Sequence, residues 1–295
     1  MIPPGLQAYA DRGADWAAWI DGLPAVVRDL LEEWELSADG EATHGNTALV
    51  VPVRTATGDA AVLKVGWPHP EAEHEALALQ RWGGRGAVRL LRADPHRWAM
   101  LLERLQPEDL TDVWDLRACE IVGGLYGRLH VPAPPQMLTL SAQASRWADE
   151  LAALGRSAPV PHRLVDQARA LARSFAADPA TDGTLVHTDL HFENVLAAGR
   201  EDWLAIDPKP LSGDPHFELA PMLWNRFDEL AGRVRQGIRD RFFALVDAAG
   251  LDEDRARDWV VVRMLVNVKD ELVENGAPDR DWVTTMLTIA KAVQG

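Results

Sequence analysis

Cysteine occurs once, at Cys119, so no disulfide can close within the chain, and a reducing cytoplasm is the expected setting. No run of about 18 apolar residues exists, so no membrane-spanning helix is expected. The first twenty residues have no basic start and no long apolar core, so no secretory leader is expected. Positive charge is scarce: 30 lysines and arginines face 45 aspartates and glutamates, a net charge of −15. Nucleic acid needs a positive footprint and is not an expected partner. The same acidic field favours a cationic ligand. No repeat period stands out. What is present is ordinary globular composition, 47% hydrophobic and 25% charged over 295 residues. That length fits two lobes.

The texture of the chain changes along its length. Residues 21–34 have helical spacing, with Leu23, Val26, Val27, Leu30, Leu31 and Trp34 on one face. Residues 48–53 and 60–65 are short, apolar and β-branched, and the turn-forming stretch TATGD separates them, so a hairpin is expected. A helix is expected over 71–82, after Pro68 and Pro70, and a strand over 98–102. Beyond Glu103 the pattern is mostly helical. Helices are expected over 111–130, with Thr111 as cap, and over 141–155, 161–177, 215–249, 254–274 and 280–293. A small β island is expected at 184–186, 195–198 and 203–206. The fold class is therefore α+β. A small antiparallel N-terminal lobe (1–103) should precede a larger helical C-terminal lobe (104–295), with a ligand cleft at their junction.

The chemistry concentrates in His187-Thr188-Asp189-Leu190-His191-Phe192-Glu193-Asn194 and in Asp207, thirteen residues later at the end of the apolar run WLAID. Phosphoryl transfer asks for metal ions to neutralise a triphosphate and one group to orient the attacking hydroxyl. Magnesium prefers oxygen ligands. Asp189 can accept the hydroxyl proton, and Asn194 and Asp207 can hold the metal. Any one of these alone would be read as a turn former. Both segments in order, with apolar lead-ins, reduce that reading to roughly one in ten.

The pattern HxDxxxxN followed by a lone Asp resembles the protein-kinase-like fold. The form HTDLHFEN resembles its aminoglycoside phosphotransferase branch, and IDPKPLSGDPHFELAPMLWN resembles the aminoglycoside/hydroxyurea antibiotic-resistance kinases, which include streptomycin 6-kinases. The likeness runs from about Gly45 to Asn225. It implies a bilobal fold with ATP and Mg2+ as cofactors. Asp189 would be the catalytic base, and Asn194 and Asp207 metal ligands. No Asp-Phe-Gly and no Ala-Pro-Glu appear, so protein-kinase activity is not expected. His187 and Asp214 are expected to brace the loops rather than to react.

In the N-terminal lobe, Lys64 interrupts an apolar strand, and a buried lysine needs a partner. By resemblance it contacts the α- and β-phosphates and pairs with a carboxylate on the next helix. Glu71, Glu73 and Glu75 are the candidates, with Glu75 favoured because Leu79 and Trp82 continue its face. A triple-glycine phosphate loop is missing. The reduced loop Gly45-Asn46-Thr47 takes its place, since backbone amides can still cradle phosphate. By the same resemblance, residues 100–105, including Leu102, Glu103 and Arg104, would form the adenine hinge, where backbone groups do the recognition.

Substrate identity rests on less. An aminoglycoside is polycationic and calls for carboxylates that nearby lysines do not neutralise. His191, Asp228, Asp270, Glu271 and Glu274 are candidates, though each acidic residue alone reads more readily as a solvated helix face. A streptomycin kinase is the favoured reading, acting as a monomer or weak dimer. A kinase for hydroxyurea or another small alcohol is the alternative. A non-catalytic kinase-like binding protein is a third, disfavoured because Lys64, Asp189, Asn194 and Asp207 are all intact.

Overall fold

Short apolar runs build the centre of the first sheet. In the computed structural model, residues 2–155, 158–274 and 278–295 are described, and the chain divides into Met1–Gln106 and Pro107–Gly295. The division falls three residues beyond the boundary expected at Glu103.

The N-terminal unit starts with α1 (Pro4–Gln7) and α2 (Ala14–Glu33), followed by β1 (Ser37–Ala38), β2 (Thr43–His44), β3 (Ala48–Arg54), β4 (Ala60–Gly66), α3 (Glu75–Trp82), β5 (Leu90–Asp94) and β6 (Ala99–Glu103). The strands form one antiparallel sheet in the order β1-β3-β4-β6-β5, with β2 also on β3. Leu49, Val51 and Val53 of β3, Ala61, Leu63 and Val65 of β4, and Ala99 and Leu101 of β6 share one buried cluster with Leu6, Leu23 and Leu30. Strand side chains alternate between faces, so Lys64, between Leu63 and Val65, projects to the face away from that cluster.

Two helix expectations need correction here. The helix expected from Asp21 starts at Ala14 and carries Pro24 inside it. The helix expected over 71–82 is shorter. Pro70–Ala72 forms a separate 3-10 turn, His74 is non-helical at φ −106° and ψ 9°, and the α-helix begins only at Glu75. Gly83, at φ 57°, ends it in the left-handed conformation that glycine tolerates best.

The C-terminal unit contains α4 (Asp115–Leu129), β7 (Val131–Pro132), α5 (Leu140–Ala153), α6 (His162–Ala177), β8 (Thr184–Val186), β9 (Val195–Ala197), β10 (Trp203–Ala205), β11 (Leu211–Gly213), α7 (Ala220–Trp224), α8 (Val234–Ala249), α9 (Glu253–Glu274) and α10 (Arg280–Ala292). The β island was expected as three segments. It has five, because β7 and β11 flank β8 while β9 pairs with β10. Helices α4 and α8 approach closely at Gly123, where an added Cβ would sit 2.6 Å from that of Ala248.

Thr111 is not a helix cap. The Asp109 side chain accepts from the Thr111 N–H at 2.8 Å and caps the 3-10 turn Leu110–Asp112, and α4 starts later. The single helix expected over 215–249 is four pieces: a 3-10 turn Pro215–Leu219, α7, a 3-10 turn Phe227–Leu230, and α8. The break lies at Asn225 and Arg226, the latter at φ 54°. Its carbonyls are not orphaned, because the fully buried Arg241 donates to Asn225 O at 2.8 Å and to Arg226 O at 3.2 Å. Asp115 neutralises that guanidinium at 3.2 Å. Helical composition fitted the segment, but a tertiary hydrogen-bond network fixes its path.

Candidate active site

Strand β8 delivers the chain to His187, and the loop returns through the 3-10 turn Phe192–Asn194 into β9. His187 is fully buried. Its Nε2 lies 2.9 Å from Ile206 O, and its Nδ1 accepts from the Asp189 N–H at 3.3 Å. Both bonds are met by one neutral tautomer, with the proton on Nε2. Burial lowers the His187 pKa, which keeps the ring in that neutral form.

The same imidazole ties the Asp189 turn to the Asp207 turn. A second tie runs from Ile206 N–H to Asn194 O at 2.9 Å. The Asn194 side chain donates from Nδ2 to Asp189 O at 2.8 Å, which leaves Oδ1 as its donor atom toward a cation. Asp207 and Thr188 both adopt left-handed backbone, at φ 55° and 63°. For a β-branched threonine this is an outlier that surroundings must enforce.

Those surroundings include two residues that sequence reasoning left without a catalytic-loop role. Glu218 is 1% exposed. Its Oε1 accepts from the N–H of His187 and, at 2.8 Å, from that of Thr188, while Oε2 meets His130 Nε2 at 2.6 Å. Tyr126 donates its hydroxyl to Glu218 O at 2.9 Å. Lys209 places its ammonium on Asp189 Oδ2. The Glu218 signal was a carboxylate inside the apolar run FELAPML, a position where charge is rarely buried without partners. The Lys209 signal was its place between two prolines.

Asp214 is 1% exposed and bonds four groups: His216 N–H and Nδ1, Trp259 Nε1 and Arg255 Nε. Burial works to raise its pKa, but the bonds from His216 and Trp259 outweigh it and lower the value. It holds the segment ahead of α7 against α9.

The donor set can be tested against the implied cation. Among the described residues no group of three or more His, Cys, Asp or Glu could hold a metal. Asn194 and Asp207 supply one amide oxygen and a carboxylate, both hard donors. That short set suits magnesium, which usually takes one or two protein carboxylates and completes its shell with waters and substrate phosphates.

In the N-terminal unit Lys64 and Glu75 form a buried ion pair at 2.6 Å. Glu71 lies in the preceding 3-10 turn, and Glu73 just after it. Gly45, Asn46 and Thr47 link β2 to β3. Gly45 N–H donates to Ala48 O at 3.0 Å, and Trp67 N–H to Thr47 O at 2.6 Å. Leu102 is buried on β6. The Glu103 side chain accepts from Arg89 N–H at 2.8 Å. Arg104 spends its guanidinium on Ala61 O, Val53 O and Asp39 within its own unit. Side chains at 103 and 104 are thus engaged by the sheet.

Residues 33–268 match the family described as aminoglycoside/hydroxyurea antibiotic resistance kinase. The chain belongs to that family. It is 39% identical to a streptomycin 6-kinase of Streptomyces glaucescens, covering 100% of this chain and 97% of the relative. It is 43% identical to a hydroxyurea phosphotransferase of Kitasatospora aureofaciens, covering 95% and 83%. The crystal structure of aminoglycoside phosphotransferase APH(4)-Ia aligns over 92% of this chain and 98% of its own, at 17% identity and a TM-score of 0.60. The expected fold class, α+β of protein-kinase-like type, is borne out. No helix among the described residues is long and apolar enough to cross a membrane.

Within this antibiotic resistance kinase family member, the acidic residues singled out for a cationic substrate fare unevenly. Asp228 is exposed. Asp270 does not meet the condition set for it, because Lys269 pairs with it and with Glu150. Glu271 accepts from Asp279 N–H at 2.6 Å, bracing the start of α10. The Glu274 side chain lies outside the described residues. His191 is mostly buried with Nδ1 unbonded and 4.0 Å from Glu193, and burial lowers its pKa.

Proposed function

We propose that this chain transfers the γ-phosphoryl group of ATP to a hydroxyl of an aminoglycoside, streptomycin foremost. The observation that carries the reading is the pair of mutually tied turns presenting Asp189, Asn194 and Asp207. Asp189 takes the acceptor's hydroxyl proton as the new O–P bond forms. His187 and Asn194 hold the Asp189 main chain from both sides, so the turn that carries the carboxylate is pre-positioned. Asn194 and Asp207 are the residues that would hold magnesium, which supplies charge neutralisation at the phosphates. The N-terminal unit's share is Lys64, oriented by Glu75, for the α- and β-phosphates, with the backbone of residues 45–47 as phosphate loop and that of 102–104 as adenine hinge. The acidic net charge of −15 favours a polycationic acceptor.

Asp207→Ala is expected to weaken MgATP binding by about tenfold or more, since even outer-shell changes at metal sites cost that much. Calorimetric titration checks it, and an unchanged affinity counts against the metal role.

The acceptor is decided by magnesium-dependent ADP release measured over streptomycin, kanamycin and hydroxyurea. Streptomycin should give the largest kcat/KM. Release with hydroxyurea alone would select the second reading, which the 43% identity to a hydroxyurea phosphotransferase favours. Release above background with none of the three would remove the aminoglycoside reading.

A further inference from the structure

Lys209 stands between Pro208 and Pro210, both buried. Proline fixes its own φ and holds the residue ahead of it to extended conformations. The Lys209 main chain is tied further, its N–H donating to His187 O at 3.0 Å and its carbonyl accepting from Thr188 Oγ1 at 2.6 Å. The stem of this lysine is thus anchored on the loop that carries Asp189. Its ammonium contacts Asp189 Oδ2, yet the Lys209 side chain is 31% exposed against 18% for Asp189. The pair is therefore not sealed from solvent, and the lysine is its more exposed member. His187 and Asn194 fix the Asp189 main chain, and Lys209 meets its carboxylate.

Resting on the kinase reading above, we propose that Lys209 is a catalytic residue whose ammonium also donates to an oxygen of the transferring γ-phosphoryl group. An ammonium has three donors and can serve two acceptors at once. In the step, the acceptor oxygen bonds to the γ-phosphorus while the bond from that phosphorus to the β–γ bridging oxygen breaks. The bridging electron pair leaves with ADP. The acceptor's hydroxyl proton goes to Asp189, and Lys209 keeps all its protons. A fixed cation beside the equatorial oxygens stabilises the charge spread over them without reorganisation.

The test separates action on the phosphoryl group from action through Asp189. Lys209→Met is made in the wild type and in Asp189→Asn, and transfer of radiolabelled γ-phosphate to streptomycin is followed in single turnovers with enzyme in excess. In the wild type the rate should fall about 100-fold, the cost typical of removing one preorganised charge stabiliser, with ATP affinity nearly unchanged. In Asp189→Asn the same change should lower the remaining rate by at least about a further tenfold, because a contact with the phosphoryl oxygens outlasts the loss of the carboxylate, while the coupling expected of two touching residues keeps the factor below the full ~100-fold. A double variant as fast as Asp189→Asn overturns the proposal, as Lys209 would then act only through the carboxylate. So does a Lys209→Met rate within threefold of wild type. Lys209→Gln gives the same comparison should the methionine variant fail to fold. If the wild type transfers no label to streptomycin, kanamycin or hydroxyurea, the kinase reading fails and the proposal falls with it.

Discussion

Asp189→Ala should lower kcat by about 100-fold or more while leaving nucleotide affinity and the melting temperature close to wild type. The separation follows from which atoms of Asp189 do what. Its backbone N–H and carbonyl hold the loop, through His187 Nδ1 and Asn194 Nδ2, and alanine keeps both. Its carboxylate bonds Lys209 and, in the proposed reaction, takes the acceptor's proton. A positioned general base contributes roughly 100- to 10,000-fold, or about 3–5 kcal/mol of barrier at 1.36 kcal/mol per tenfold. The proposed metal ligands are other residues, so the nucleotide should still bind. Coupled ADP release with streptomycin gives kcat, and calorimetric titration gives the affinity. Equal losses in both would mean that the substitution had disordered the loop. Near-normal turnover would remove Asp189 from the base role.

The legible parts of this protein are those whose signal is local. The short apolar runs ALVVPV and AAVLKV, split by TATGD, marked the central hairpin, and Lys64 stood out as the charge inside them. Glu75 stood out because Leu79 and Trp82 continue its face, and all three are buried on α3. The loop 187–194 and Asp207 were readable as a pair because their chemistry is carried by residue types at fixed spacing.

The illegible parts depend on partners distant in sequence. Arg241 determines where the segment 215–249 breaks, but its acceptors are 15 and 16 residues upstream and its counter-ion, Asp115, is 126 residues away. Asp270 looked suited to a cationic ligand until its neighbour Lys269 proved to pair with it and with Glu150, on a different helix. Periodicity cannot report such pairings, because it records which face a residue occupies and not what lies opposite.

Glu218 is the sharpest instance, and it carries the second large expected effect. Its carboxylate serves three groups of the catalytic unit: the N–H of His187, the N–H of Thr188 and the ring of His130. Two adjacent N–H groups converging on one oxygen require a tight bend, and the bend appears as the positive φ of Thr188. A left-handed β-branched residue costs about 1–3 kcal/mol and persists only under external constraint. Glu218→Ala removes that constraint and leaves two buried donors without an acceptor, each costing about 1–3 kcal/mol. A loss of roughly 3–5 kcal/mol is expected, as for breaking a buried charged network. For a unit of this size that corresponds to a fall in Tm of roughly 10 °C. Because the bend directly precedes Asp189, kcat should fall by at least about tenfold at temperatures where the variant is still folded. Glu218→Gln retains one acceptor oxygen for the two N–H groups and should lie between alanine and wild type in both readouts. Thermal melts and steady-state kinetics on the two variants check the ordering. An alanine variant that melts within about 2 °C of wild type would mean that the loop holds its bend without the carboxylate.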